Sequence, residues 1–170
     1  IPAAAGFGTG HHPTTEGIIF IINKINSYKN IKKKDIIDIG SGSGILGIVM
    51  AKLWKKNIEL IDIDLLAVKT SIYNAKVNLL HNKLNIKKGN GLNITQKKKY
   101  DLITINILAL PILKNSYLIN KKLKPKGRVI ISGILHSQIF MILNKLRSMG
   151  LVLELQYNKN NWSTLLLKKA

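Results

Sequence analysis

The sequence predicts an α/β domain of Rossmann-like type: a mostly parallel seven-stranded sheet ending in an antiparallel hairpin, with helices on both faces. Three observations predict it. Short apolar runs rich in Ile alternate with segments of helical periodicity over most of the chain. A glycine loop from Gly40 to Gly44 joins the first of those runs to a helical segment. Two further apolar runs close the chain around an Asn-rich turn. At 170 residues a single domain over 1–170 is expected, large enough to bury a core without covalent staples.

After a leading loop over 1–13, the apolar spacing predicts a helix over 14–25, followed by a lysine-rich turn at 29–34. Residues 35–39 read as a short buried strand running into the glycine loop, and 45–53 as the helix that follows. A second strand over 57–62 ends on Asp62, and Asp64 is placed to cap the next helix. On that helix Val68, Ile72, Ala75 and Leu79 share one face and are expected inside. A weaker strand at 84–88 leads to the turn Gly89-Asn90-Gly91, and a strong one at 100–105 closes on Asn106. Pro111 marks a helix start, with a helix over 112–123 that Pro125 and Gly127 terminate. A fifth strand at 128–132, a helix over 137–149, and strands at 151–157 and 162–168 complete the series. Strands that alternate with helices imply right-handed crossovers and a sheet covered on both faces. The antiparallel hairpin at the end separates the methyltransferase version of this architecture from a plain dinucleotide fold.

Chemistry concentrates where strands end. The run Asp38-Ile39-Gly40-Ser41-Gly42-Ser43-Gly44 lets a ligand lie against backbone at the carboxyl edge of the sheet. Gly42, Gly44 and Gly47 also satisfy the dinucleotide spacing, with Asp62 about twenty residues on, so a nicotinamide or flavin enzyme competes. Asp38 separates the two, because an acid two residues before the first glycine repels a pyrophosphate and attracts a cation. S-adenosylmethionine carries a sulfonium and an ammonium and is the expected cofactor, bound by Asp38, Gly40, Gly42 and Gly44. Asp62 suits a bidentate contact with two ribose hydroxyls. Asn90 is placed to reach an adenine edge, although a Gly-Asn-Gly turn equally uses Asn for its backbone angles. Asn106 is the candidate catalytic residue: an amide at the end of the fourth strand, beside apolar Ile107 to Pro111, is suited to orient an incoming amine.

Composition excludes more than it assigns. Cysteine is absent, which removes disulfides and thiolate metal sites and suits a reducing cytoplasm. No apolar run approaches the ~18 residues that span a bilayer, so no membrane partner is expected. The adjacent His11 and His12 lack a neighbouring cysteine or carboxylate at ligand spacing, and no metal is expected; His12 reads as a loop residue, and His81 and His136 as ordinary helix-end residues. The net charge is +19, from 27 Lys and Arg against 8 Asp and Glu. It points either to a polyanionic partner, such as ribosomal RNA contacted through the basic surface, or to AT-rich coding. Only Arg128 and Arg147 are arginine, and Lys, Ile and Asn codons can all be built from A and T. The sequence does not set the oligomeric state.

The segment Gly6-Phe7-Gly8-Thr9-Gly10-His11-His12-Pro13-Thr14-Thr15 resembles the opening signature of the ribosomal protein L11 methyltransferases, the PrmA family. Asp38 to Leu46, Ile61-Asp62-Ile63-Asp64, Asn106-Ile107-Leu108-Ala109 and Ser132-Gly133-Ile134-Leu135 are similar to that family's motifs, in its order. The resemblance implies cofactor contacts from Thr15, Gly40, Asp62 and Asn106, with the loop from Phe7 to Thr15 folding over the donor. It implies methylation of lysine side-chain amines and an N-terminal amine on ribosomal protein L11, often to the trimethyl stage. Two features depart from it. The N-terminal substrate-recognition domain of family members is absent from this chain, whose first residue, Ile1, suggests a piece of something longer. Pro2 to Gly6 also departs from the usual proline-glycine approach to the phenylalanine. Two other functions share these features: an RNA or DNA amine methyltransferase, which would ordinarily carry a proline-proline-aromatic tail after the asparagine, and a donor-binding fragment without turnover.

Overall fold

Four of the first five strands alternate their side chains between two apolar layers, and the sheet they form is the centre of the molecule. The computed structural model describes residues 12–28, 31–95 and 98–170. In chain order the elements are α1 (Pro13–Asn26), β1 (Ile36–Ile39), α2 (Ile45–Trp54), β2 (Ile58–Asp62), α3 (Leu65–Val77), β3 (Leu84–Lys88) and β4 (Tyr100–Asn106). They continue as α4 (Ala109–Lys114), α5 (Ser116–Lys122), β5 (Leu123–Leu135), α6 (Ile139–Ser148), β6 (Leu151–Lys159) and β7 (Trp162–Lys169). The sheet order is β3-β2-β1-β4-β5-β7-β6. The first five strands pair in parallel, whereas β7 runs antiparallel between β5 and β6, as the terminal apolar runs predict.

Period-two alternation divides the core. Ile36, Ile58, Leu60, Leu102, Ile130 and Leu166 face α1, α2 and Ala75 of α3. Ile37, Ile39, Ile103, Ile105, Val129 and Ile131 face α4, α5 and α6. Strands buried on both faces have no polar side to display, so β1 and β4 read in sequence as nearly unbroken apolar runs.

Four expectations are corrected. The helix expected over 112–123 is two helices: Asn115 caps α4 back onto Pro111, its side-chain amide donating to the Pro111 carbonyl at 2.8 Å, and α5 restarts at Ser116. Pro111 lies in the first turn of α4 rather than at its start. Strand β5 begins at Leu123 and runs through Pro125 and Gly127, which were expected to lie outside it. Gly127 is required there, since a Cβ would stand 2.9 Å from the Lys124 carbonyl oxygen and 3.0 Å from that of Tyr100. On α3 the buried face is Val68, Ser71, Asn74 and Ala75, while Ile72 and Leu79 are exposed.

Candidate active site

The cavity at the carboxyl ends of β1, β2 and β4 has a volume of about 610 Å³, within the range of small-molecule sites. The glycine loop forms its floor. Gly40, Gly42 and Gly44 have φ of 68°, 54° and 79°, the left-handed region that glycine adopts without steric cost. A Cβ on Gly40 would lie 2.5 Å from Ile107 Cγ2, and one on Gly47 2.6 Å from Leu60, so the third glycine of the spacing serves helix–sheet packing. The loop is tied down from outside the cavity: the Ser71 hydroxyl donates to the Gly42 carbonyl at 2.8 Å, and the Asn74 amide to the Ser43 carbonyl at 2.9 Å. These bonds explain why α3 turns polar residues inward. A buried carbonyl without a donor is costly, and two side chains spaced i, i+3 meet both.

Asp62 lines the cavity and is fixed by two backbone amides: Gly42 donates to Oδ2 at 2.8 Å and Asp64 to Oδ1 at 3.0 Å. Each oxygen keeps further acceptor capacity. Asp64 caps α3, accepting from the Leu66 amide at 3.0 Å. The Gly42 amide that a pyrophosphate would need is therefore already given to a carboxylate, and the loop presents negative charge to the cavity.

Asp38 lies elsewhere than the sequence suggests. Its side chain is fully buried and is not among the cavity-lining residues; Oδ1 accepts from the Thr104 hydroxyl at 2.6 Å. Oδ2 has no hydrogen-bond partner. Burial, reinforced by the neighbouring charge of Asp62, pushes its carboxyl up to about 7, while the Thr104 bond opposes the rise. Asp38 therefore lies beneath the loop and is no part of the cavity surface.

Asn106 and Thr15 both line the cavity, and the Asn106 amide nitrogen stands 3.5 Å from the Thr15 hydroxyl. Thr15 is held by the start of α1, where His12 is the N-cap rather than a plain loop residue: Nδ1 accepts from the Thr14 amide at 3.4 Å. Asn90 lines the cavity from an exposed turn. The expected fold-over of residues 7–15 falls largely outside the described residues.

The sequence reading missed the opposite wall. Trp162 lines the cavity and meets His12 edge-on at 5.2 Å between ring centroids. Gly133, with φ of 79°, lets β5 close against residue 107, where a Cβ would lie 2.3 Å from the Ile107 carbonyl oxygen. One signal was available, a tryptophan placed just after a tight turn, but its approach to the site depends on β7 inserting beside β5. Among the described residues, no three His, Cys, Asp or Glu side chains gather as a metal site, and no helix is long and apolar enough to cross a membrane.

The comparisons agree with this geometry. A sheet of order 3-2-1-4-5-7-6 with its cavity at the glycine loop defines the class I S-adenosylmethionine-dependent methyltransferases, and solved structures of that class share the fold. Among them, ribosomal protein L11 methylase from Lactobacillus delbrueckii subsp. bulgaricus matches with a TM-score of 0.81 at 28% identity, over 99% of this chain and 84% of that one. An RNA methyltransferase from Salinibacter ruber, in complex with S-adenosyl-L-homocysteine, matches at 0.70 and 17%, covering 92% of this chain and 93% of that one. The profile described as ribosomal protein L11 methyltransferase (PrmA) matches residues 2–170, and the chain belongs to that family. Proteins described as ribosomal protein L11 methyltransferase in Caulobacter sp. (strain K31) and Dictyoglomus turgidum are 35% and 36% identical over 99% and 96% of this chain. The chain spans 58% and 52% of their lengths.

Proposed function

We propose that residues 1–170 form the donor-binding and methyl-transfer domain of a protein that methylates lysine side-chain and N-terminal amines of ribosomal protein L11 in the cytoplasm. The observation that carries the donor assignment is the Asp62 carboxylate fixed on the Gly42 amide, which turns a loop with dinucleotide spacing into a site for a cationic or neutral nucleoside. The left-handed Gly40, Gly42 and Gly44, which bring bare backbone to the cavity, fit the same ligand. S-adenosylmethionine, when bound, supplies a methyl group on a sulfonium. Asp62 accepts its ribose hydroxyls, Gly40, Gly42 and Gly44 give it backbone approach, and Asn90 flanks the base. Family membership supports the choice of substrate, and L11 recognition is assigned to the further domain that the family resemblance implies.

A lysine amine has a pKa near 10.4, so only about one in a thousand is neutral at pH 7. Ile107, Leu108, Pro111 and Trp162 form an apolar wall that strips water from an incoming amine and favours its neutral form. The carboxylates that line the cavity are Asp62 and Asp64, both engaged at the loop end, so proton loss to water is assigned rather than transfer to a side-chain base. The Asn106 carbonyl accepts an amine N–H and sets its direction of approach.

Calorimetry should show binding of S-adenosylmethionine and none of NADH. In the full-length protein, Asn106→Ala should lower methyl transfer to purified L11 by on the order of 10²-fold while donor affinity stays within about threefold. Equal loss of both would remove Asn106 from the transfer step. Labelled methyl groups appearing on ribosomal RNA instead of L11 would overturn the substrate assignment.

A further inference from the structure

Leu84, Ile58, Ile36, Leu102, Arg128 and Lys168 form one register row across six strands, at the end of the sheet opposite the cavity. Every segment flanking that row carries lysine: residues 32–34 before β1, 55–56 before β2, 83 before β3, 98–99 before β4, 124 and 126 in β5, and 168–169 ending β7. The connecting loops at the cavity end, residues 40–44, 63–64, 89–91, 107–108 and 136–138, contain none, and the lysines at that end are Lys87 and Lys88 closing β3, Lys159 closing β6 and paired with Glu16, and Lys69 and Lys114 on α3 and α4. A uniform bias toward lysine would load the two ends alike.

The acids near the row are already occupied. Glu59 pairs with Lys98, Asp35 and Asp101 share Lys124, and Glu154 takes Arg128 through two bonds of 2.6 and 2.9 Å. Among the described residues, no ion pair involves positions 32–34, 55–56, 83, 99, 126 or 168–169. The crowding is felt electrostatically. Burial first, and then the charge of Arg128, lowers the Lys33 ammonium; burial and then Lys99 lower that of Lys169.

From this juxtaposition we propose that the strand-start edge of the sheet is a binding face for the phosphate backbone of an RNA duplex, remote from the cavity. Five inter-strand gaps of ~4.8 Å make the row about 24 Å long, enough to meet several successive phosphates. Lysine without arginine forks suits contact with phosphates rather than reading of bases. Interfacial membrane binding would need an apolar face beside the charges. The most exposed apolar residues at this edge, Val77 and Leu79 before β3 and Val152 on β6, stand at opposite extremes of the sheet and form no such face, while Ile63, Leu66, Leu108 and Leu110 stand at the cavity end. The choice of RNA over DNA rests on the reading of the substrate as a ribosomal component.

The test uses the 170-residue chain and a 20-base-pair RNA duplex, with the DNA duplex of the same sequence and phosphatidylserine vesicles as parallel arms. Binding should weaken with salt at a slope of about −4 in log–log terms, as expected for four to five phosphates neutralised. Replacing the exposed Lys32, Lys34, Lys56 and Lys99 by Gln should reduce RNA affinity at least tenfold. The same change of charge at the exposed cavity-end set, Lys69, Lys87, Lys88 and Lys114, should reduce it less than threefold. Equal losses in the two sets, no RNA binding at 50 mM salt, or tighter binding to DNA or vesicles would each overturn the proposal. Donor binding measured on the same samples reports separately on the cavity. Its absence from the unsubstituted chain would sink the functional reading, while its retention in the quadruple variant shows that any loss of RNA binding is not unfolding.

Discussion

At Asp38 a carboxyl is buried beneath the glycine loop, accepting a hydrogen bond from Thr104. Its acidity is shifted from 3.8 to about 7, chiefly by burial, so the folded state prefers the protonated form. The sign follows from linkage: the unfolded chain releases this proton near pH 4 and the folded chain only near 7. The ligand-free fold therefore loses stability as pH rises through that window, by on the order of 4 kcal/mol at 1.36 kcal/mol per unit. Asp38→Asn keeps an acceptor for Thr104 and removes the charge. Urea unfolding should give equal midpoints for the two proteins near pH 4 and a more stable variant at pH 8. Because a cationic ligand above the loop favours the ionised form, S-adenosylmethionine affinity should rise between pH 6 and 8 in the unsubstituted chain and stay flat in the variant. A stability gap independent of pH would show that Asp38 is not the titrating group. The sequence identifies this acid by its place before the first glycine, and its charge suits the ligand class. Its depth was not legible, because whether a strand residue meets the cavity or the core depends on the neighbouring strand and helix, here Thr104 on β4 and the start of α2.

Elements were legible where local chemistry bounds them and illegible where tertiary partners do. The strand–glycine-loop–helix unit and α1 fall within a residue or two of expectation, since glycine conformations and apolar spacing are local signals, although the His12 cap of α1 was read as loop. The inward face of α3 was misread because Ser71 and Asn74 are buried by the carbonyls of a loop about thirty residues earlier, which no apolar periodicity encodes. The seating of α1 is of the same kind. A Cβ on Gly17 would stand 2.2 Å from Thr164 Oγ1, so the missing side chain lets α1 press onto β7 and brings Thr15 to Asn106. Gly17→Ala gains about 1 kcal/mol of helix propensity but should lose more to the clash, a net destabilisation of ~1–2 kcal/mol in denaturant unfolding. Thr164→Ala alone loses the 2.8 Å contact with the Ser132 hydroxyl, yet in the Gly17→Ala background it removes the atom in the way. The double variant should therefore be more stable than the sum of the single changes predicts, by at least ~0.5 kcal/mol. Strict additivity would mean that α1 does not rest on Thr164.

For the whole molecule, the uneven charge sets the response to salt. The two apolar layers on either face of the sheet supply stabilisation that is insensitive to ionic strength at moderate salt. Against them stands a net charge of +19, a quantity plain in the sequence, although its concentration at one sheet edge emerges only once the strand order aligns six separate segments. Salt screens two opposed terms. It weakens the ion pairs of Lys98, Lys124, Arg128 and Lys159, and it relieves repulsion among the surplus lysines. Exposed pairs are worth ~0–1 kcal/mol each, and the best-buried one, Arg128 with Glu154, is bidentate and the least accessible to screening. Repulsion summed over the surplus cations should prevail, so the urea midpoint should rise as sodium chloride is taken from about 20 to 300 mM, a span over which the Debye length falls from roughly 20 to 6 Å. A molecule stabilised mainly by its ion pairs would respond in the opposite direction. Replacing Lys32, Lys34, Lys56 and Lys99 by Gln should raise the low-salt midpoint and flatten the rise, whereas the same substitutions at Lys69, Lys87, Lys88 and Lys114 should flatten it less. A midpoint that falls with added salt would show that the ion pairs outweigh the repulsion among the surplus lysines.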